Sequence, residues 1–316
     1  MIQNSEKFTE RFSKDFQALL TPDNSFYLNT KGITSKDLSV NIPQYLTEIA
    51  APSDVTSNAA LDVVEWAEGN KTVTQKQFKT KAYQIVDYKE FFTAQDQRQD
   101  CMDSMKSFID TQVGNFAAYK FAPETTELVS TGTATRASEV VGSSATVKVY
   151  TKADLIKAKT AMSKTNMTGK WYALATPEAI ADLFQIDDFV KADSLGIQQS
   201  RLLNGEFADI LGVRFFMRAP SLGANVVYDE VGSPGALTKI DAYGAVGAAD
   251  SVTATSVGGI IFWNENALYS NKGMAKVYIT AQDARYQSDL ISLQHTFGVD
   301  PIRTDNQGII VLAEGV

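Results

Sequence analysis

Apolar and polar residues alternate with two different periods along the chain, which predicts both helices and strands. Between residues 5 and 20, apolar side chains recur every three or four positions from Phe8 to Leu20, with charged residues between them. This spacing is typical of a short amphipathic helix, and the turn sequence "TPDN" follows it. The apolar stripe of this helix suits docking on its own domain and docking on a partner equally well.

The longest helical pattern covers residues 91–119. Its apolar stripe consists of Cys101, Met102, Met105, Phe108, Ile109, Val113 and Phe116. Pro123 marks the end of the pattern, because proline cannot continue a helix interior. At 1.5 Å per residue such a helix is about 40 Å long and can span a domain. Cys101 and the methionines of the stripe are predicted to fill the core, since soft apolar side chains suit that task.

Two further helices and two strands are predicted in the middle of the chain. Residues 152–164 have helical spacing, and "KWYALATPEAIADLF" predicts a buried strand that turns into a short helix at Thr176–Pro177. In "LLNGEFADILGVRFFMRAPSL" a turn signal at Asn204–Gly205 precedes an alternating strand. There Val213, Phe215 and Met217 face one way, and Arg214, Phe216 and Arg218 face the other.

Residues 34–88 predict a long polar hairpin that turns near Gly69–Asn70. Its charges are sorted on the two sides of this turn: Asp54, Asp62, Glu65 and Glu68 lie before it with no Lys or Arg among them, and Lys71, Lys76, Lys79 and Lys81 follow it with no acid among them. Opposed in a hairpin, these two arms would pair charge against charge. A solvated surface hairpin explains the polarity equally well.

The length of this hairpin raises the question of what stabilises it. An isolated two-stranded hairpin is marginal in water. Ordering each residue costs about 1–2 kcal/mol of backbone entropy, and this span has few large apolar residues to offset that cost. We therefore expect something outside the hairpin to hold it.

Composition narrows the class of protein. The 316 residues are 44% hydrophobic and 21% charged, which is ordinary for a globular chain of one or two domains. The net charge of −8 argues against a nucleic-acid-binding surface, because such surfaces need Lys and Arg to neutralise phosphates. The first residues lack the apolar segment of a signal peptide, and no 18-residue apolar run occurs, so we expect a soluble protein made in a cytoplasm.

The sequence contains few residues that could support catalysis, disulfide bonds or metal binding. With one cysteine and one histidine, neither a disulfide framework nor the common zinc sites can be built. His295 lies in a strand-like run, where a packed residue is expected rather than a base. The acidic pair Asp187–Asp188 leaves a carboxylate-dependent hydrolase open, although a solvated turn is the simpler interpretation. We predict no enzyme, and no catalytic, cofactor-binding or metal-binding residues.

The order of parts resembles the major capsid proteins of tailed bacteriophages, whose fold is shared with encapsulin shells. The resemblance rests on "TPEAIADLF…LLNGEFADILGVRFFMRAP" and "AQDARYQSDLISLQHTFGVDPIR", and it covers nearly the whole chain. It implies an α+β fold in four parts. These are an N-terminal arm at 1–33, an extended E-loop hairpin at 34–88, a peripheral P domain at 89–150 and 272–316 that includes the spine helix 91–119, and an axial A domain at 151–271.

The resemblance also implies a function and partners. The chain would self-assemble as homo-pentamers and homo-hexamers into an icosahedral virion capsid, built in the host cytoplasm around double-stranded DNA that it contacts non-specifically. Portal protein, a separate scaffolding protein and decoration proteins would be its other partners, with no membrane and no cofactor.

Some members of the family join subunits by a Lys–Asn isopeptide bond. Lys71, Lys76, Lys79 and Lys81 are plausible donors by position, and Asn306 is one candidate acceptor, but no motif singles them out. Two alternatives to a phage capsid stay open: an encapsulin-like compartment for protein cargo, and a monomeric β-rich binding module.

Overall fold

The structure is a computed structural model. It describes residues 26–34, 37–45, 68–86, 97–126, 128–140, 142–186, 211–218, 227–230, 237–240, 252–283 and 288–316. The predicted helix at 5–20, the pair Asp187–Asp188 and the turn at Asn204–Gly205 lie outside these residues.

Three α-helices occur in the described residues, after a 3₁₀ turn at Phe26–Leu28. They are α1 (Gln97–Phe121), α2 (Lys152–Lys164) and α3 (Pro177–Phe184). The predicted bounds of α2 are confirmed, because Thr151 and Asp154 form a reciprocal capping box at its start. Helix α3 begins after the N-cap Thr176, as the Thr-Pro pair predicts.

Helix α1 confirms the predicted spine helix over its described part and runs two residues further, to Phe121. Its C-terminal end is capped by Lys239, whose Nζ donates to the carbonyl of Ala122 at 2.8 Å and lies 4.3 Å from the ring centre of Tyr119. One residue of the predicted apolar stripe is wrong: Phe108 is 54% exposed. Phe108 lines a cleft between this helix and the strand that contains Gln77 and Lys79, whereas the adjacent Ile109 is buried.

Sixteen strands are found in the described residues. They are β1 (Lys31–Thr34), β2 (Ser39–Tyr45), β3 (Glu68–Thr74), β4 (Lys76–Lys79), β5 (Tyr83–Val86), β6 (Thr125–Thr126), β7 (Thr135–Ala137), β8 (Thr146–Lys148), β9 (Trp171–Ala175), β10 (Val213–Met217), β11 (Tyr228–Glu230), β12 (Leu237–Lys239), β13 (Gly259–Asn264), β14 (Leu268–Asp283), β15 (Ser288–Pro301) and β16 (Ile309–Ala313).

The largest sheet is built around the long antiparallel pair β14 and β15. Strands β14 and β15 pair over most of their length, and the sheet runs in the order β1, β14, β15, β4, with β5 also paired to β15. Helix α1 packs on this sheet and buries Met105, Ile109 and Val113. At the C-terminal end of the helix, Phe121 meets Phe26 and Trp263 edge-on, with ring centres 5.6 and 5.1 Å apart.

A second sheet has the strand order β10, β9, β13, β16, and its two central strands, β9 and β13, are buried on both faces. Along β9 and β13 the side chains alternate between two cores. Leu174 and Trp263 pack in the core of α1, and Ala173 and Phe262 pack in the core of α2 and α3. Burial on both faces explains why these strands are continuous apolar runs. Smaller sheets join β11 to β12 and β6, and β7 to β8.

Candidate assembly surface: the hairpin arm

Strands β2 and β3 form a hairpin that belongs to neither large sheet. Seven residue pairs join them, from Ser39–Thr74 to Tyr45–Glu68, in a two-stranded antiparallel sheet. We call residues 39–45 and 68–74 the hairpin arm. The predicted turn at Gly69–Asn70 is wrong, because both residues are strand residues of β3. Cross-strand pairing with β2 has overridden the local turn signal of this dipeptide.

The predicted charge pairing is also wrong in the described ladder. Lys71 stands opposite Ile42, and Lys76 and Lys79 leave the arm to pair with β15. The error follows from the turn, because moving the turn away from residue 69 changes which residues face each other. The acids Asp54, Asp62 and Glu65 lie outside the described residues.

Much of the arm is open to solvent within the single chain. Asn41 and Pro43 of β2 are exposed, and Val40 and Ile42 are only half-buried. Leu38, directly before β2, is 56% exposed. Because a two-stranded sheet is marginal without a further packing surface, the arm presents both backbone and apolar side chains that one copy of the chain leaves uncovered.

The base of the arm, in contrast, is fixed firmly to the largest sheet. The buried amide of Gln75 donates from Nε2 to Oδ1 of Asn271 at 2.8 Å, and Asn271 in turn donates from Nδ2 to the carbonyl of Asp37. The backbone N–H of Gln75 donates to the carbonyl of Leu38 at 2.7 Å. The residues that flank the arm at its base, Asp37 and Gln75, are therefore both tied to Asn271 of β14, which fixes the position of the base.

The structure places the candidate lysines in different surroundings. Lys71 lies beside the turn that contains Asn306, since its Nζ is 3.5 Å from the carbonyl of Arg303. Burial lowers the pKa of Lys71, and Asp300 opposes this effect. Lys76 lies 5.4 Å from the ring centre of Phe116, and burial lowers its pKa as well. Lys79 and Lys81 are exposed on and beside β4. Of the four candidate lysines for an isopeptide bond, Lys71 is therefore the one that contacts the segment containing the candidate acceptor Asn306.

The remaining chemical candidates are packed or outside the described residues. His295 lies in β15 between Ala275 and Phe78, and burial lowers its pKa, with the charge of Asp110 opposing the change. Burial raises the pKa of the Cys101 thiol, which makes it a poor nucleophile. Within the described ranges, no group of three His, Cys, Asp or Glu residues is placed to hold a metal ion. No described helix combines the length and apolar character needed to cross a bilayer.

Strand β10 contains no candidate catalytic or metal-binding residue, and its role is to connect two parts of the fold. It pairs in parallel with β9 after a left-handed turn at Gly212, where φ is 73°. Phe216 stacks on Trp263 at an interplanar angle of 20°, and Arg218 reaches helix α1, where its Nη2 donates to the carbonyl of Thr111 at 3.3 Å. Strand β10 therefore ties the second sheet to the spine helix. Local sequence could not reveal this contact, because its two sides are 107 residues apart.

Comparison with known proteins gives matches in structure. No protein-family model matches the chain, and no curated protein sequence matches it. The capsid of the cyanophage P-SCSP1u is 16% identical with a TM-score of 0.60, and the match covers 90% of this chain and 85% of that chain. The acid-stable capsid of the Helicobacter pylori bacteriophage KHP30 is 11% identical with a TM-score of 0.63, covering 94% and 90%. The capsid of Ralstonia phage GP4 is 10% identical with a TM-score of 0.58, covering 91% and 87%.

The chain has the fold of tailed-phage major capsid proteins. The matches cover about nine tenths of its length. The predicted α+β capsid fold is therefore confirmed.

Proposed function

We propose that this chain is the shell subunit of a tailed-phage virion, which self-assembles as pentamers and hexamers into an icosahedral capsid around double-stranded DNA. Assembly takes place in the host cytoplasm. The subunit's main partner is itself. Portal protein, a separate scaffolding protein and decoration proteins complete the particle.

The domain division follows the capsid architecture. Residues 1–33 form the N-terminal arm and 34–88 the E-loop, with the hairpin arm as the described part that leaves the body. Residues 89–150 and 272–316 form the P domain around α1, and 151–271 form the A domain that packs around the capsomer axes. Of the described E-loop strands, β4 and β5 pair with β15, and β2 and β3 pair with each other outside the largest sheet.

The observation that carries this proposal is the contrast between the arm and its base. A ladder of seven pairs has no third strand in the described structure, yet buried hydrogen bonds to Asn271 fix its base. A fixed base holds the exposed β2–β3 ladder in one orientation, which is what docking on a partner surface requires. A neighbouring copy supplies such a surface, and repetition around closed rings turns modest contacts into a stable shell.

The charge of the chain suits this role. A net charge of −8 keeps the subunit soluble before assembly and prevents strong attachment to packaged DNA. The inner wall of the shell can then contact DNA without binding a particular sequence or arresting its movement.

Truncation of the arm tests the proposal. Residues 40–73 are replaced by a four-residue Gly-Ser link, which closes the short gap between the paired residues Ser39 and Thr74 and keeps Gln75 and β4. We expect urea unfolding of the body to be retained, because the arm lies outside both large sheets. Electron microscopy should show that the variant no longer forms closed particles, whereas the full chain does.

Ile42→Asp provides a milder version of the same test, with Ile42→Val as its matched control. A charge on the half-buried apolar face of the arm should block particle formation, and the valine should not. Normal particles from both the truncated chain and Ile42→Asp would show that the arm takes no part in assembly. Particles that contain protein cargo instead of DNA would favour an encapsulin-like compartment.

A further inference from the structure

A buried group of charged side chains joins three separate segments of the chain. Arg136 of β7 lies at its centre. Its guanidinium is 2.7 Å from Glu314, which follows β16, 3.0 Å from Asp182 of α3 and 3.2 Å from Glu139. The exposed Glu178 of α3 lies 3.3 Å from the same guanidinium. We call these five residues the Arg136 cluster.

Acids outnumber bases in this cluster. The side chains of Glu139, Asp182 and Glu314 are only 3%, 5% and 2% exposed, and among the described residues Arg136 is the one cation that forms an ion pair with them. Three buried carboxylates and one guanidinium leave two negative charges without compensation if every acid is ionised. Burying uncompensated charge is costly, so such a site favours the uptake of a proton.

Glu139 is the residue that the geometry selects for this proton. Its Oε1 accepts from the backbone N–H of Ala179 at 3.0 Å, at the first turn of α3. Its Oε2 is buried and has no hydrogen-bond partner in the described part of the chain. A carboxylate with one unsatisfied buried oxygen is unfavourable, whereas a protonated carboxyl needs less solvation at that atom.

The surroundings of Glu139 support the same assignment. Burial is the main effect, and together with the charges of Glu314 and Glu178 it raises the pKa of Glu139 to about 7, although Arg136 and the hydroxyl of Thr176 oppose the rise. The remaining ionisable groups at the cluster are Asp182 and Tyr150. Burial raises the pKa of the Tyr150 phenol well above its usual value, so it stays neutral near neutral pH.

We propose that Glu139 is a proton-binding site, and that loss of its proton loosens the junction between hairpin β7–β8, helix α3 and the C-terminal segment at Glu314. In the protonated state the cluster holds these segments together. In the ionised state Glu139 repels Glu314, whose Oε2 otherwise accepts from the backbone N–H of Gly258 and the hydroxyl of Ser138. This device acts within one subunit and stands whether or not the chain forms a capsid.

The sign of the pH effect follows from linkage. The pKa of Glu139 is higher in the folded chain than its ordinary value of 4.5, so the folded state binds the proton more tightly than the unfolded state. The stabilisation is therefore complete below the ordinary value and is lost as pH rises through about 7. Between about pH 5 and about pH 8, the unfolding equilibrium constant should rise by roughly 10-fold to 70-fold through this residue alone.

Glu139→Gln tests the proposal, because glutamine is neutral at every pH and nearly the same shape. Unfolding of the full chain by urea is measured at several pH values for wild type and variant. The ratio of their unfolding constants should change by the factor given above, while Glu178→Gln, which removes an exposed carboxylate of the same cluster, should leave the wild-type pH dependence in place. A ratio that stays constant across this pH range would overturn the proposal.

A second measurement does not depend on the stability of the variant. Infrared difference spectra of the wild-type chain, recorded across neutral pH, should show the C=O band of a protonated carboxyl that disappears as pH rises. Absence of any carboxyl that titrates near neutral pH would overturn the proposal even if Glu139→Gln failed to fold.

Discussion

At the scale of single residues, Gly114 matters because it has no side chain. Its place on helix α1 leaves room for the guanidinium of Arg218. The Arg218 guanidinium crosses helix α1 at Gly114, where an added Cβ would lie only 3.2 Å from its Nη2. Burial lowers the pKa of Arg218 to about 10, with the charge of Asp110 opposing the change. A glycine costs helix stability in isolation, so its presence in α1 is explained by the space that the arginine needs.

We predict that Gly114→Val destabilises the chain through this contact. The branched side chain would displace the guanidinium and leave it buried with poorer partners, which should lower the free energy of unfolding by about 2 kcal/mol. Ser107→Val places the same side chain on the exposed face of the same helix and should change the free energy by about 0.5 kcal/mol or less. Equal effects in urea unfolding would contradict the role of this contact.

Residue-level prediction from sequence had a clear limit. Helical spacing identified Met105, Ile109 and Val113 as core residues, because burial on a helix follows its period. The same spacing could not separate exposed Phe108 from buried Ile109, which are neighbours at the edge of the stripe. The Arg136 cluster escaped notice altogether, because its members come from three segments that only the fold brings together.

At the scale of elements, local signals predicted helices better than strand pairing. Helix α2 and the β9–α3 unit carry their start signals in adjacent residues, at Thr151 and Thr176. The register of the hairpin arm has no such signal, since Gly69–Asn70 has the composition of a turn and the conformation of a strand. Pairing between β2 and β3 is decided by which side chains meet across the ladder, and a single sequence does not state this.

Gln75→Ala should loosen the whole arm, because it leaves Oδ1 of Asn271 buried without its amide donor. An unsatisfied buried acceptor costs about 1–3 kcal/mol. Hydrogen exchange of the amides at 69–74 should therefore become faster, with little change in α2. Gln77→Ala, on the exposed side of the adjoining strand, is the matched control and should leave exchange in the arm as it is. Unchanged exchange in Gln75→Ala would mean that the base is not held by this pair.

At the scale of the whole molecule, the fold was predicted from a resemblance in the order of the parts of the chain. Because the sequence has one histidine and one cysteine, the common zinc sites and a disulfide framework were not expected. The long polar hairpin before a spine helix led to the prediction of a capsid subunit. Structural likeness over about nine tenths of the chain, at 10–16% identity, confirms the fold and shows why sequence comparison finds no match.

The mass of the purified full chain in solution shows directly whether copies of this chain associate with one another. Light scattering, followed by negative-stain microscopy of the same fractions, measures how many copies associate and what shape they form. We expect pentamers, hexamers or closed shells, because we propose that the hairpin arm packs on the surface of a neighbouring copy. A stable monomer of 34.5 kDa at every concentration, with hydrogen-exchange protection throughout residues 39–45 and 68–74, would contradict it.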